Sequence, residues 1–209
     1  MHDLIGFKDM FSVNPISFNT DRFGNPNEAL DLSSGYTFLT PGYFFTTPQF
    51  SISLWIYTNG LMPPNSVILD FGNGNGNGNS FLDDIILYLV SNDLIGPNVQ
   101  IYNSSTLVVN AESSLSLVAG QWHLFTVTYD GVTVSIYING ILTSSVQQSY
   151  SLPVIMRMNN YFGASSMNKY QYLYSTRIDD IRFYNISLTL NQILNIMNID
   201  SSLNYRKYS

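Results

Sequence analysis

The chain has 209 residues, 45% of them hydrophobic, 14% aromatic and only 11% charged; this suits one well-cored domain and excludes a disordered chain, which needs few aromatics and high net charge. Eight Lys and Arg against 14 Asp and Glu give a net charge of −6, leaving no basic footprint for nucleic acid or anionic lipid. There is no cysteine and there are only two histidines, His2 and His123, so disulfides, thiolate nucleophiles and cysteine-based zinc sites are excluded as well.

Met1–Met10 carries Asp3 and Asp9 and reads as no signal peptide. No stretch approaches the roughly 18 apolar residues that would predict membrane insertion as a helix. Asn occurs 23 times and Ala four times, a composition that favours turns over helix interiors. Strands are expected at Tyr36–Leu39 and at Phe50–Tyr57. In the second, Phe50, Ile52, Leu54 and Ile56 alternate with Ser51, Ser53, Trp55 and Tyr57, an aliphatic face backed by a mixed one. Trp55 and Trp122 are read as packing residues.

Further strands are expected at Ser66–Phe71, Asp84–Val90, Val99–Tyr102, Thr106–Val109, Val154–Phe162, Tyr170–Tyr174 and Arg177–Phe183. Between the first two, Gly72–Asn79 alternates glycine and asparagine and reads as a mobile loop, without the Lys and Ser/Thr of a phosphate loop. Trp122–Tyr129, Asp130-Gly131, Val132–Ile138 and Asn139-Gly140 predict a three-stranded meander with type I′ turns, and put Val132, Val134, Ile136 and Ile138 on one face. Thr189 and Gln192 form a capping-box pattern ahead of Leu190, Ile193, Leu194 and Met197, one apolar helical stripe. The expected fold is all-β: a two-sheet antiparallel jelly-roll sandwich with one short C-terminal helix, a single domain with its core at about residues 18–197.

Asp21–Leu30, Phe50–Tyr57, Trp122–Gly131, Tyr137–Gly140 and Ile178–Asn185, followed by the capped helix, occur in that order. Together they resemble a laminin G-like jelly roll of the concanavalin A-like lectin/glucanase superfamily, from Phe18 to Met197. The resemblance implies a concave and a convex sheet face and a ligand-binding module, extracellular, cell-surface or virion-surface, that recognises glycan or glycoprotein. The alternative is a structural or assembly protein of a virion or extracellular matrix, using the sandwich to contact other protein subunits.

Retaining glucanases of the superfamily carry a Glu-x-Asp-x-x-Glu strand, which is absent here: Glu28 and Glu112 are the only glutamates. Asp83 and Asp84 are adjacent on a strand edge, so their side chains diverge and cannot flank one sugar. His123 reads as a structural histidine. The chain is therefore expected not to be an enzyme. Calcium is the candidate cofactor. The resemblance places it on Asp179, beside Asp180, with backbone carbonyls from the Asp31–Gly35 turn; the alternative is that Asp179 or Asp180 pairs with Arg177 or Arg182. Asp21-Arg22 reads as a turn with a local ion pair. For glycan, Tyr170, Tyr172 and Tyr174 share one side of an extended segment, with Asn159, Asn160, Tyr161 and Asn168 close by; amphipathic rings beside planar amides suit a pyranose. Asn103-Ser-Ser and Asn185-Ile-Ser match the glycosylation acceptor pattern.

Overall fold

The computed structural model describes residues 10–12, 15, 17–33, 35–60, 63–74, 81–91, 95–148, 151–166, 173 and 176–203, without the side chains of 91 and 199–203. In chain order its elements are β1 (Met10–Ser12), β2 (Ser17–Asn19), β3 (Ala29–Asp31), β4 (Thr37–Leu39), β5 (Phe50–Thr58), β6 (Ser66–Gly72), β7 (Ile85–Ser91), β8 (Ile95–Asn103), β9 (Thr106–Glu112), β10 (Trp122–Tyr129), β11 (Thr133–Ile138), β12 (Ile141–Gln147), β13 (Asn159–Phe162), β14 (Thr176–Tyr184) and the helix α1 (Leu190–Leu203). They form two antiparallel seven-stranded sheets, ordered β1-β4-β13-β6-β7-β8-β9 and β12-β11-β10-β5-β14-β3-β2. This is the expected all-β sandwich.

The alternation read in β5 decides which face goes inward. Phe50, Ile52, Leu54 and Ile56 are buried with Phe125 and Val127 of β10 and Val134, Ile136 and Ile138 of β11. They meet Leu69 and Phe71 of β6, Ile85, Leu87 and Leu89 of β7, and Val99 and Ile101 of β8. One end of this core is aromatic rather than aliphatic. Phe71 stacks on Phe183 with ring centroids 5.2 Å apart, and Phe45 and Phe50 lie 4.6 Å apart. On the outer face of the second sheet Ser51 and Ser53 are fully buried. Ser51 Oγ donates to the Ile186 carbonyl and accepts the Leu188 N–H, so the strand's polar positions anchor the segment entering α1.

The meander forms, with one difference at its first turn. Asn139 and Gly140 both have positive φ, 51° and 77°, as type I′ requires. At the other turn positive φ falls on Gly131 alone, the type II′ pattern, and the Asp130 carboxylate accepts the N–H groups of Val132 and Thr133 at 2.9 and 2.7 Å. Val132 therefore sits in the turn, 55% exposed, and not on the buried face. The capping box is formed: the Thr189 N–H donates to Gln192 Oε1 at 2.8 Å, and the Gln192 N–H to Thr189 Oγ1 at 3.4 Å. Ile193 and Ile196 form the buried stripe of α1, against Trp55, Leu124, Tyr137 and Leu188, while Leu190 stays 46% exposed. Ahead of β13 the expected strand is shorter, since Val154 and Met156 are exposed and Pro153 has no N–H to give a ladder. The segment Tyr170–Tyr174 lies outside the described residues, apart from buried Leu173.

Gly72 belongs to β6, contrary to the loop reading, while 75–80 lie outside the described residues. A Cβ at Gly72 would collide with the Asp84 carboxylate, so glycine is what lets that side chain lie across the strand. At the closing edge β9 meets β12: the Ser114 N–H donates to the Thr143 carbonyl at 3.1 Å, and Ser113 Oγ to Thr143 Oγ1 at 2.9 Å.

Candidate functional site

The outer face of the first sheet carries polar and aromatic side chains on β7, β8 and β9, whose inner face is built by Ile85, Leu87, Leu89, Val99, Ile101, Val109 and Ala111. Register sets Tyr88 of β7 opposite Asn98 of β8, and Asn98 opposite Glu112 of β9; in the next row Gln100 faces Asn110. Period two then puts Asn98, Gln100 and Tyr102 on one face together with Asn110 and Glu112. A hydrogen-bond chain links them. Asn110 Nδ2 donates to Glu112 Oε1 at 3.0 Å, Gln100 Nε2 to Asn110 Oδ1 at 3.2 Å and the Tyr102 hydroxyl to Gln100 Oε1 at 3.2 Å. The Tyr88 hydroxyl bridges loosely, accepting from Asn98 Nδ2 and donating to Asn110 Oδ1, each at 3.5 Å. Burial, with Glu112's charge adding to it, pushes the Tyr88 phenol above its ordinary range.

Beside this network opens a pocket of about 490 Å³ lined by Tyr88, Asn98, Glu112, Ser113, Ser114 and Ser116, with Asn65, Val90 and Gly96. Its size falls within the roughly 300–1,000 Å³ of small-ligand sites. Sequence reading left out Asn98, Asn110 and Glu112 because one expected strand began only at Val99 and the next stopped at Val109. The alternation Asn98-x-Gln100-x-Tyr102 and Asn110-x-Glu112 was the signal that held them.

Of the expected glycan residues, Tyr161 lies on this same outer face, in the row Tyr161–Asp70–Ile86–Gln100. Three strand spacings, about 14 Å, separate it from Gln100. Its ring packs edge-on against Tyr36 at 5.8 Å, and its hydroxyl donates to Asn159 Oδ1 at 3.4 Å. Asn160 does not join it. Adjacent strand residues point to opposite faces, and Asn160 is 1% exposed, its Nδ2 donating to the Arg157 carbonyl at 3.0 Å. Tyr170, Tyr172, Tyr174 and Asn168 lie outside the described residues.

Asp179 and Asp180 meet Arg22. A register shift in β14 between Asp179 and Arg182, with Asp180 at φ 47°, turns both carboxylates to one guanidinium. Arg22 Nη1 lies 2.5 Å from Asp179 Oδ2, and Nη2 lies 2.5 Å from Asp180 Oδ2; Arg182 approaches Asp180 at 3.4 Å. The guanidinium is 4.3 Å from the Phe23 ring and 5.0 Å from that of Trp55. Burial pushes the Asp179 carboxyl up to about 6 against the pull of Arg22, with Asp180's charge pushing the same way. The Asp21 carboxylate makes no local ion pair with Arg22; it caps its own turn, accepting the N–H groups of Phe23 and Asn25 at 2.8 Å.

Asp31 is occupied elsewhere. Burial raises it, but bonds from Ser33 and Asn19 and the charge of Arg177, its partner across β14, outweigh that and hold it below the ordinary carboxylate range. The Gly35 carbonyl lies against Gly163, just beyond β13 in the opposite sheet. Calcium takes about six to eight oxygens, whereas here a guanidinium already sits between the two carboxylates. Among the described residues no group of three or more His, Asp or Glu could hold a metal ion. Calcium and its chelation are therefore expected to leave the melting temperature unmoved; a rise on adding calcium would restore the metal reading.

Asp84 does find an acidic partner, though not Asp83. Asp70 and Asp84 are both 0% exposed and lie close enough to influence each other's titration. The Ser166 N–H donates to Asp70 Oδ2 at 2.7 Å, and the Leu82 N–H to Asp84 Oδ2. Burial, then the charge of Asp84, pushes Asp70 well above the ordinary range; burial also raises Asp84, to about 6. His123 is 7% exposed; its Nδ1 accepts from Asn139 Nδ2 at 3.1 Å, which leaves Nε2–H to donate to the Val118 carbonyl at 3.3 Å.

Known proteins share this architecture at low identity. Domain 4 of AbnA, a GH43 extracellular arabinanase from Geobacillus stearothermophilus, solved with arabinotriose, superposes with a TM-score of 0.65 at 17% identity, covering 91% of this chain and 87% of that one. The binding domain of Paraclostridial Mosquitocidal Protein 1 gives 0.71 at 14% identity, covering 94% and 49%. That of Botulinum neurotoxin DC, in complex with rat synaptotagmin II, gives 0.65 at 18%, covering 92% and 46%. The chain thus spans about half the length of these toxin binding domains. Against curated proteins the sequence finds no match. Residues 31–194 match the laminin G family described as the Concanavalin A-like lectin/glucanases superfamily. With most of its length matched and both sheets in place, the chain belongs to the concanavalin A-like lectin/glucanases superfamily.

Proposed function

We propose that the chain is a non-catalytic module that binds glycan on the outer face of its first sheet. The observation that carries this is the pocket lined by Tyr88, Asn98, Glu112 and three serines. One amphipathic ring with a few fixed planar donors and acceptors is what a pyranose can use. The complexes of the structural relatives, one with arabinotriose and one with rat synaptotagmin II, support a binding role. Another relative is described through its dependence on two ganglioside molecules. A surface or extracellular location follows from the same reading; among the described residues no helix is long and apolar enough to cross a membrane.

Hydrolysis is disfavoured by the acids themselves. Glycosidase carboxyls stand roughly 5–9.5 Å apart with the scissile bond between them. Asp70 and Asp84 are instead both fully enclosed, with no access for a sugar between them. Tyr88→Ala is expected to weaken binding of arabinotriose, or of a hit from a printed glycan array, about tenfold or more by calorimetry, since ring and hydroxyl are lost together. Circular dichroism would confirm that the fold survives. Unchanged affinity would dismiss this pocket.

A second reading, assembly through protein contact, rests on Ile141 and Leu142, exposed by 58% and 54% at the start of edge strand β12. A concentration-dependent dimer abolished by Ile141→Lys, without any glycan hit, would favour it.

A further inference from the structure

We infer that the pocket on the first sheet selects uncharged saccharides and turns away acidic ones. This rests on the glycan reading above and goes on to the ligand's charge. Glu112 lines the pocket with an exposed carboxylate, and only one of its oxygens is engaged, by Asn110. A neighbouring hydroxyl can donate to such a group, whereas a sugar carboxylate or sulfate meets like charge.

The arginines among the described residues are all committed elsewhere. Arg22 is held by Asp179 and Asp180, with Arg182 beside Asp180. Arg177 stacks on Tyr57 at 4.8 Å on the second sheet, and Arg157 is 1% exposed. The pocket's remaining polar lining is uncharged, namely Asn65, Tyr88, Asn98, Ser113, Ser114 and Ser116. The net charge of −6 adds a background of the same sign as Glu112.

A ligand carboxylate about 5 Å from Glu112 should lose roughly tenfold in affinity at low salt and less as salt screens the pair. The test is a glycan array of matched pairs, such as lactose with 3′-sialyllactose and galactose with galacturonic acid oligomers, read at 20 mM and 500 mM salt for wild type and Glu112→Gln. The expected result is neutral members bound, acidic partners about tenfold weaker at low salt, and a gap that narrows both with salt and in Glu112→Gln. An acidic member bound as well as its neutral partner, or a gap indifferent to salt and to the substitution, overturns the inference while leaving the pocket a glycan site. If no glycan of either kind is held, and Tyr88→Ala changes nothing, the glycan reading itself falls and this inference with it.

Discussion

Replacing Arg22 with alanine is expected to lower the melting temperature by roughly 10 °C at neutral pH. The guanidinium bridges Asp179 and Asp180, and its side chain is 7% exposed against 14% and 37% for the two acids. Removing one partner of a buried pair leaves the other charge uncompensated, a cost of about 3–5 kcal/mol. In a domain of this size that corresponds to roughly 6–20 °C. Asp180, more than a third exposed, contributes little of this because water screens it; Asp179 carries the effect. Its carboxyl already sits at about 6 with Arg22 in place. Without that cation it rises further, so the deficit should shrink as pH falls and the group takes up a proton.

The double variant Arg22→Ala/Asp179→Asn should recover most of the loss. Arg22→Lys should recover only part, because an ammonium cannot hold two carboxylates with a planar fork or stack on Phe23 and Trp55 in the same way. A melting temperature within experimental error of wild type would show that the pair is ornamental.

The fold was legible where the information is local. Asn139-Gly140 announced its turn because positive φ at two successive positions is cheap only for such residues. The alternation in Phe50–Tyr57 told the inner face from the outer, and the Thr189–Gln192 box started the helix where expected. What stayed hidden depends on register between distant strands. Asp70 meets Asp84 only because β6 pairs with β7 and Gly72 leaves room for the carboxylate. Arg22 reaches Asp179 across 157 residues, so the local pairing with Arg177 or Arg182 was the natural guess. The separation of Asn160 from Tyr161 was readable, since neighbours on a strand cannot share a face. The pocket needed strands that run on to Glu112; propensity ended β9 at Val109, where Asn and Glu interrupt the β-branched run.

Asp70→Asn should flatten the dependence of stability on pH and raise the melting temperature at pH 8 above that of wild type. In the folded chain both Asp70 and Asp84 titrate above the ordinary 3.8. The fold therefore retains protons that the unfolded chain has already released. Their contribution is fully present below pH ~4 and is lost as pH climbs through about 6 for Asp84 and higher for Asp70. Asp84 alone accounts for about 3 kcal/mol of that fall, or roughly 6–12 °C between pH 4 and pH 8. An asparagine at 70 can accept the Ser166 N–H through Oδ1 and offer Nδ2 as a donor towards Asp84. One buried charge then never forms, and Asp84 ionises beside a permanent donor and within the field of Arg157. The variant should match wild type near pH 4.5 and exceed it at pH 8 by several degrees. Asp179, raised for a separate reason, leaves a residual slope that Asp179→Asn removes independently. Gly72→Ala should act in the opposite sense at every pH, because its methyl group displaces the Asp84 carboxylate from Asp70. Melting profiles of Asp70→Asn and wild type that run parallel from pH 4.5 to 8 would show that Asp70 does not titrate above the ordinary carboxylate range in the fold.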